Sequence, residues 1–369
     1  MAIKVWDYLV EYAQEKKEIL SAIEEVLDSG WLILGQKVKS FEEQYAAFCG
    51  VKYGIGVANG TDAIFLALKA LGITTGNEVI TVSNTAIPTV SAIVSTGATP
   101  VFVDINEDTY LMNVCQIEQV ITNRTKCILP VHLFGQCVDM DKINHIANKH
   151  KLFVLEDCAQ SHGAIYKNQK AGSMSDISTT SFYPTKILGT YGDGGMVNTN
   201  SEELNTKMRK LRFYGVEKTY YAVEHGYNSR LDEIHASILL VKLNHISEYI
   251  QRRQILAKQY RTLLTDTNLV LPVKAKYGEH AYYIYVVRHP QRDFIIEELK
   301  KRDILVNISY PWPIHTMSGY KYLGYKEDDL PVTEKVAKQI FSLPMYPSLS
   351  DEQQLVISDA LHEILDELE

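Results

Sequence analysis

The sequence predicts an α/β protein: a large domain built on a mostly parallel sheet covered by helices, and a smaller C-terminal α+β domain. Three observations predict it. Between about residues 50 and 200, short runs rich in β-branched residues alternate with stretches whose apolar residues repeat at helical spacing. The short runs are apolar throughout rather than at every second residue, as expected of strands buried on both faces. The third is length, since 369 residues exceed what one small core serves and suggest two domains.

Strands are expected at residues 78–82, 99–104, 126–133, 152–157, 177–182 and 195–198. Helices are expected between them at 61–71, 87–96, 115–121 and 140–150. Across 230–253 the apolar positions Leu231, Ile234, Ile238, Val241, Ile246 and Ile250 mark a long connecting helix. A strand at 281–287, a helix at 294–302 and a terminal helix at 351–368 follow. The domain change falls near residue 250, giving a large domain of 1–250 with an N-terminal helical segment and a small domain of 251–369.

The 37 basic and 45 acidic residues are interspersed, for a net charge of −8. Without a basic stripe, nucleic acid is not an expected partner. The five cysteines (Cys49, Cys115, Cys127, Cys137 and Cys158) are scattered and form no C-x-x-C pair. That speaks against a disulfide framework and a cysteine zinc site, and no metal is expected. Lys4, Asp7, Glu11, Glu15, Lys16 and Lys17 punctuate the N-terminus, unlike a signal peptide. No run of about 18 apolar residues suggests a membrane span. The expectation is a soluble, cytoplasmic protein.

The chemistry concentrates at two strand ends. Val154-Leu155-Glu156-Asp157 reads as a buried strand ending in a carboxylate. Ser181-Phe182-Tyr183-Pro184-Thr185-Lys186 places a lysine between a strand and the turn Gly192-Asp193-Gly194-Gly195. This is the pair that pyridoxal phosphate needs: the amine forms a Schiff base with the cofactor aldehyde, and the acid keeps the pyridine nitrogen protonated. In such sheets ligands collect at the carboxyl ends of the strands, where Asp157 lies. Phe182, Tyr183, Pro184, Ile187 and Leu188 would desolvate Lys186 and favour its neutral, nucleophilic form. Plainer readings stand beside these, because most lysines are solvated surface groups and Asp157 also reads as a strand-end cap.

Gly60-Thr61-Asp62-Ala63 opens a helix after the apolar run 54–57. Gly60 or Thr61 is expected to cap it, and its free N–H groups suit the cofactor phosphate, although an ordinary cap reads the same way. His162 either packs on the cofactor ring, holds Asp157, or is a satisfied core histidine. Ser181 faces away from Phe182 and either reaches the phosphate or bonds a backbone group.

Taken together, G-T-x-A at 60–63, E-D-x-A-Q-x-H-G-A at 156–164, S-F-x-x-x-K-x-L-G-x-x-G-D-G-G at 181–195 and N-S-R-L-D-E at 228–233 resemble the DegT/DnrJ/EryC1/StrS family. These are sugar aminotransferases of the fold-type I pyridoxal phosphate class, and the resemblance covers roughly residues 10–350. It implies a seven-stranded sheet and pyridoxal 5'-phosphate, with pyridoxamine 5'-phosphate as the half-reaction form. By the same resemblance Lys186 is the Schiff-base lysine and proton carrier, Asp157 partners the pyridine nitrogen, and Gln160 bonds the ring hydroxyl region. Gly60, Thr61 and Ser181 are implied at the phosphate. Asn228 is implied to reach the phosphate of the other subunit, which makes the active unit a homodimer.

One position departs from the pattern. Many members carry a ring-stacking aromatic where this chain has Ala86, so either His162 or another ring compensates or stacking is absent. Relatives acting as sugar dehydratases carry histidine at the lysine position, so Lys186 argues for transamination.

The family implies L-glutamate as donor and a nucleotide-linked keto-sugar as acceptor. Two aromatic segments, 214–227 and 307–315, are expected to line the sugar site or to pack at an interface. The substrate candidates are Tyr183, Tyr220, Tyr221, Arg230, Tyr310 and His315. The stretch 217–222 resembles members that aminate a dTDP-linked 3-keto-6-deoxyhexose at C3, in deoxyamino-sugar synthesis for surface polysaccharide or glycoconjugates. Amination at C4 is the alternative. Two further readings are another pyridoxal phosphate enzyme and a non-enzymatic regulator on the same scaffold. A desulfurase would want a cysteine in a glycine-rich loop, and a regulator would want a DNA-reading helix or a basic face; neither is present in the sequence.

Overall fold

The computed structural model describes residues 2–368. Two helices lead the chain, α1 (Tyr8–Ser29) and α2 (Gln36–Cys49), each closed by a glycine in the left-handed region, Gly30 and Gly50. The start of α2 has no side-chain cap of its own. Instead the carboxylate of Glu233 accepts the N–H groups of Gly35, Lys37 and Val38, each at 2.8 Å. Those donors would otherwise be unpaired, so a residue some two hundred positions away fixes the entry to the sheet.

The sheet is built from β1 (Tyr53–Val57), β2 (Glu78–Val82), β3 (Thr99–Val103), β4 (Thr125–Ile128), β5 (Phe153–Asp157), β6 (Ile177–Ser181) and β7 (Gly195–Thr199). Its order is β1-β7-β6-β5-β4-β2-β3. All neighbours are parallel except β7, which runs antiparallel to both β1 and β6. The crossovers include α3 (Gly60–Ala70), α4 (Ile87–Ser95) and α5 (Met140–His150). Strands β2 and β7 are buried at every position, Glu78, Thr81, Asn198 and Thr199 included, as strands covered on both faces are. The expected α/β class with a seven-stranded, mostly parallel sheet is what the chain forms.

Register brings the chemistry to one edge. Val57 and Ser181 both pair with Gly195, while Asp157 pairs with Thr179. The carboxyl ends of β1, β5 and β6 therefore meet there.

Four expected boundaries shift. The strand expected at 126–133 ends at Ile128, because Pro130 has no N–H to give a ladder, and beyond it Val131 only bridges Asp157. The helix expected at 115–121 is a short 3₁₀ turn, Val114–Gln116, running into Ile117–Val120. The long helix, α6, covers Glu233–Leu263. It starts late because Asp232 bridges Ile33, and it continues because Leu256, Ala257 and Tyr260 extend its buried stripe. The strand expected at 281–287 is confined to Tyr285–Arg288. Tyr282 sits at φ 51°, and the residues around it bond a loop of the large sheet instead: Ala281 N–H to Gly135 and Tyr283 N–H to Phe134.

The first core gathers the sheet and its helices, including Ile246. A second core contains Leu256, Tyr285, Phe341 and Leu361, and also Ile3 from the N-terminus. We propose that the division into two domains lies inside α6, between those two packing partners.

Candidate active site

Strand β6 ends at Ser181 and the next residue plunges into the core. Phe182 is fully buried against Phe41 and Tyr45. The chain then turns tightly, with Lys186 N–H bonded to Tyr183 O at 2.9 Å and Thr190 N–H returning to Phe182 O at 2.9 Å. A Cβ on Gly189 would lie 2.5 Å from the Pro184 carbonyl, so the turn closes only around glycine. This geometry leaves Lys186 half-buried at the wall of a cleft of about 280 Å³, with Asp157, Gln160, Gly60, Thr61, Ser181 and Tyr183 also on its wall.

Asp157 is buried at the end of β5. Its carboxylate accepts from the Thr89 hydroxyl at 2.8 Å and from the Ala159 N–H at 3.1 Å. Burial pushes its carboxyl above the ordinary value, against the lowering by those donors and by Lys186. A buried carboxylate in this condition is stabilised by a cationic partner brought in from the cleft. Its neighbour Glu156 points to the other side and is fully engaged by His132, Gly172, Met174 and Ser175. His132, Glu156 and Cys158 lie close enough to suggest a metal, but Glu156 is saturated, and the second ring nitrogen of His132 already accepts from Val138.

At the opposite end of the cleft α3 begins. Neither Gly60 nor Thr61 caps it: Asn59, in extended conformation, accepts the Asp62 N–H at 2.8 Å. Gly60 and Thr61 are already helical, so their N–H groups face the cleft without an intrahelical partner. A Cβ on residue 60 would meet the Ser181 Cβ at 2.7 Å, and one on residue 195 would meet the Asn59 carbonyl at 2.3 Å. The glycines let the end of β6, the start of β7 and the start of α3 pack closely against one another.

Gln160 links the cleft to two other segments. Its carbonyl accepts the Phe134 N–H at 2.8 Å, and its amide donates to the Tyr310 hydroxyl at 2.5 Å. Tyr310 is stacked on Phe134, in the left-handed backbone region at φ 65°.

Other expected site residues lie elsewhere. His162 is not on the cleft wall: its ring is buried beneath it, hydrogen-bonded to the Tyr45 hydroxyl at 3.0 Å and to the Ser181 carbonyl at 3.1 Å. Burial lowers its pKa to about 3, so it is neutral and supports Ser181 from behind. Ala86 lines the cleft with Thr85, Pro88 and Thr89, so that face carries small side chains, and His162 puts no ring there. His315 is buried, bonded to the Ser83 hydroxyl and to Glu334. Tyr220 and Tyr221 project on a small hairpin and are 93% and 69% exposed. Asn228 is exposed beyond the cleft, and Arg230 lies over the rings of Phe213 and Tyr214.

Three residues were not singled out from the sequence. Thr89, in the first turn of α4 and bonded to the Thr85 hydroxyl, orients Asp157, and Asn59 caps α3. Tyr283 lies under Lys186, whose Nζ is 4.5 Å from the ring centroid. The Asn59-to-Asp62 spacing is a cap signal in the sequence; Tyr283 had none, because its position depends on the broken strand.

A lysine amine, a buried carboxylate awaiting a cation and a helix N-terminus suited to phosphate fit a phosphorylated pyridine aldehyde. This arrangement on this sheet defines the site of a pyridoxal-phosphate-dependent enzyme of fold-type I. The sequence profile of the DegT/DnrJ/EryC1/StrS aminotransferase family matches residues 13–362, and the chain belongs to that family. The family is pyridoxal-phosphate-dependent. The dTDP-3-amino-3,4,6-trideoxy-alpha-D-glucose transaminase of Micromonospora megalomicea subsp. nigra is 50% identical, with 99% of each chain covered. A protein of Geobacillus stearothermophilus named pleiotropic regulatory protein is 43% identical, with 98% of each covered. The crystal structure of S. venezuelae DesV superposes with a TM-score of 0.97 at 39% identity, over 98% of both chains.

Proposed function

We propose that this transaminase moves the amino group of L-glutamate to C3 of a dTDP-linked 3-keto-6-deoxyhexose. The product would serve deoxyamino-sugar synthesis for surface polysaccharide or glycoconjugates. The observation that carries the reading is a lysine, rather than a histidine, at the cleft wall of a chain half identical to a dTDP-3-amino-sugar transaminase. When bound, the cofactor supplies an electron sink and carries the amine between the two substrates. Lys186 holds the cofactor and moves the proton at the carbon beside the transferred nitrogen. Asp157, fixed by Thr89 and Ala159, holds the positive charge of the ring nitrogen. Gln160, on the cleft wall, holds the Tyr310 hydroxyl behind it, and Gly60, Thr61 and Ser181 anchor the phosphate.

The active unit we propose is a homodimer in the cytoplasm. Asn228 and the Tyr220–Tyr221 hairpin are exposed and do not line their own cleft, which suits a role at a partner's site. The described cysteines are free, and no described helix is long and apolar enough to cross a membrane.

Two outcomes test this. Given equal concentrations of the 3-keto and 4-keto isomers, the 3-keto sugar nucleotide is consumed at least about tenfold faster, a transition-state preference of about 1.4 kcal/mol. Equal or reversed rates favour amination at C4. Gly60→Val drives a side chain into Ser181 and displaces the start of α3, and is expected to raise the dissociation constant for pyridoxal phosphate about tenfold or more, read by absorbance titration. Unchanged affinity would remove the phosphate from this helix.

A further inference from the structure

Tyr283 lies beyond α6 in the chain yet packs against the first core beside Lys186, and three anchors hold it there. Its N–H donates to the Phe134 carbonyl at 3.0 Å, its carbonyl accepts from the buried Arg253 guanidinium at 2.9 Å, and its hydroxyl bonds the Thr185 hydroxyl at 3.0 Å. Phe134 is in turn tied to Gln160. The result is a ring whose face sits 4.5 Å from the Lys186 Nζ, well inside the range in which an ammonium is attracted to an aromatic quadrupole. The site is partly dry, which strengthens that attraction.

We propose that Tyr283 is a further catalytic residue, whose ring face receives the Lys186 amine whenever that amine is not joined to the cofactor. During each half of a transamination the lysine is displaced from the cofactor, must keep or shed a proton, and must return to the same carbon. A free ammonium on a four-carbon stem would otherwise swing into solvent or pair with Asp157, whose charge is needed at the ring nitrogen. The ring offers it a seat that carries no formal charge. Burial alone would raise the pKa of the Tyr283 phenol, but Lys186, Thr185 and Arg253 bring it below the ordinary value.

The charged and titratable neighbours are Tyr310 and Arg253 around Tyr283, and Asp157 and His162 around Lys186. All remain in the variants below, so a difference between variants reports the ring. The inference rests on Lys186 being the cofactor-bearing lysine; if that is wrong, borohydride fixes no cofactor on its peptide, whatever Tyr283 does.

The test uses full-length protein reconstituted with pyridoxamine phosphate, which has no aldehyde for Lys186 to condense with. Acetylation of Lys186 by acetic anhydride at pH 8 is followed by peptide mass spectrometry. The ring seats the amine, so Tyr283→Leu is expected to raise the rate of acetylation about tenfold. Tyr283→Phe keeps the ring face and is expected to stay near wild type. Tyr283→Met replaces the leucine variant if the latter does not fold. A non-aromatic variant with the wild-type rate overturns the proposal, and so does a phenylalanine variant changed as much as the non-aromatic one.

Discussion

Lys186→Ala is expected to lower transamination by on the order of 10⁴-fold or more, because both the bond to the cofactor and the proton carrier are lost together. The fold should hardly notice. The turn is closed by the Lys186 N–H and by Thr190, both backbone donors that alanine retains. The melting temperature of the variant, measured without cofactor, should therefore stay within about 3 °C of wild type. A variant that melts normally and still transaminates would show that another group performs the chemistry. A regulator on this scaffold would keep its function in the variant, which makes the same substitution decisive between the two classes.

Asp157→Asn separates stability from activity. Burial raises the Asp157 carboxyl pKa above its ordinary value, so the native state holds that proton more tightly than the unfolded chain does. The resulting stability is fully present below the unfolded-state pKa and is lost as pH rises through the native one. At pH 8 the charged side chain therefore costs the cofactor-free protein stability, and asparagine, which has no charge to bury, does not. Thr89 can turn its hydroxyl to accept from the new amide while Ala159 still donates to the carbonyl. The cofactor-free variant should melt at or above wild type at pH 8, with its advantage shrinking towards acid pH. Turnover should fall roughly 100-fold or more, as when one preorganised electrostatic contact is removed. A lower melting temperature at pH 8 with intact turnover would contradict both halves of the argument.

The contrast between Asp157 and Tyr283 shows what was readable in the chain. Asp157 and Lys186 announce themselves locally, because Asp157 ends a buried strand and Lys186 sits in the turn that follows the next one, and the fold class alone puts such ends at a ligand site. Gly60 was legible as part of a helix start, yet its neighbour Asn59 proved to be the cap, since an extended residue with a short acceptor was needed one position earlier. Tyr283 was hidden because it read as the interior of a strand. Its place follows from bonds to Phe134 and Gly135, partners some 150 positions away. Thr89 and His162 show the same limit in milder form. Their residue types were visible, but whether each faces the cleft or the core is settled by tertiary packing, which put Thr89 on Asp157 and His162 under Ser181.

The most direct test of the account is borohydride reduction of the pyridoxal-phosphate-loaded protein, followed by peptide mapping. The account predicts one reduced cofactor per chain, fixed to the peptide that contains Lys186. Cofactor on a different lysine, or on none, would contradict it.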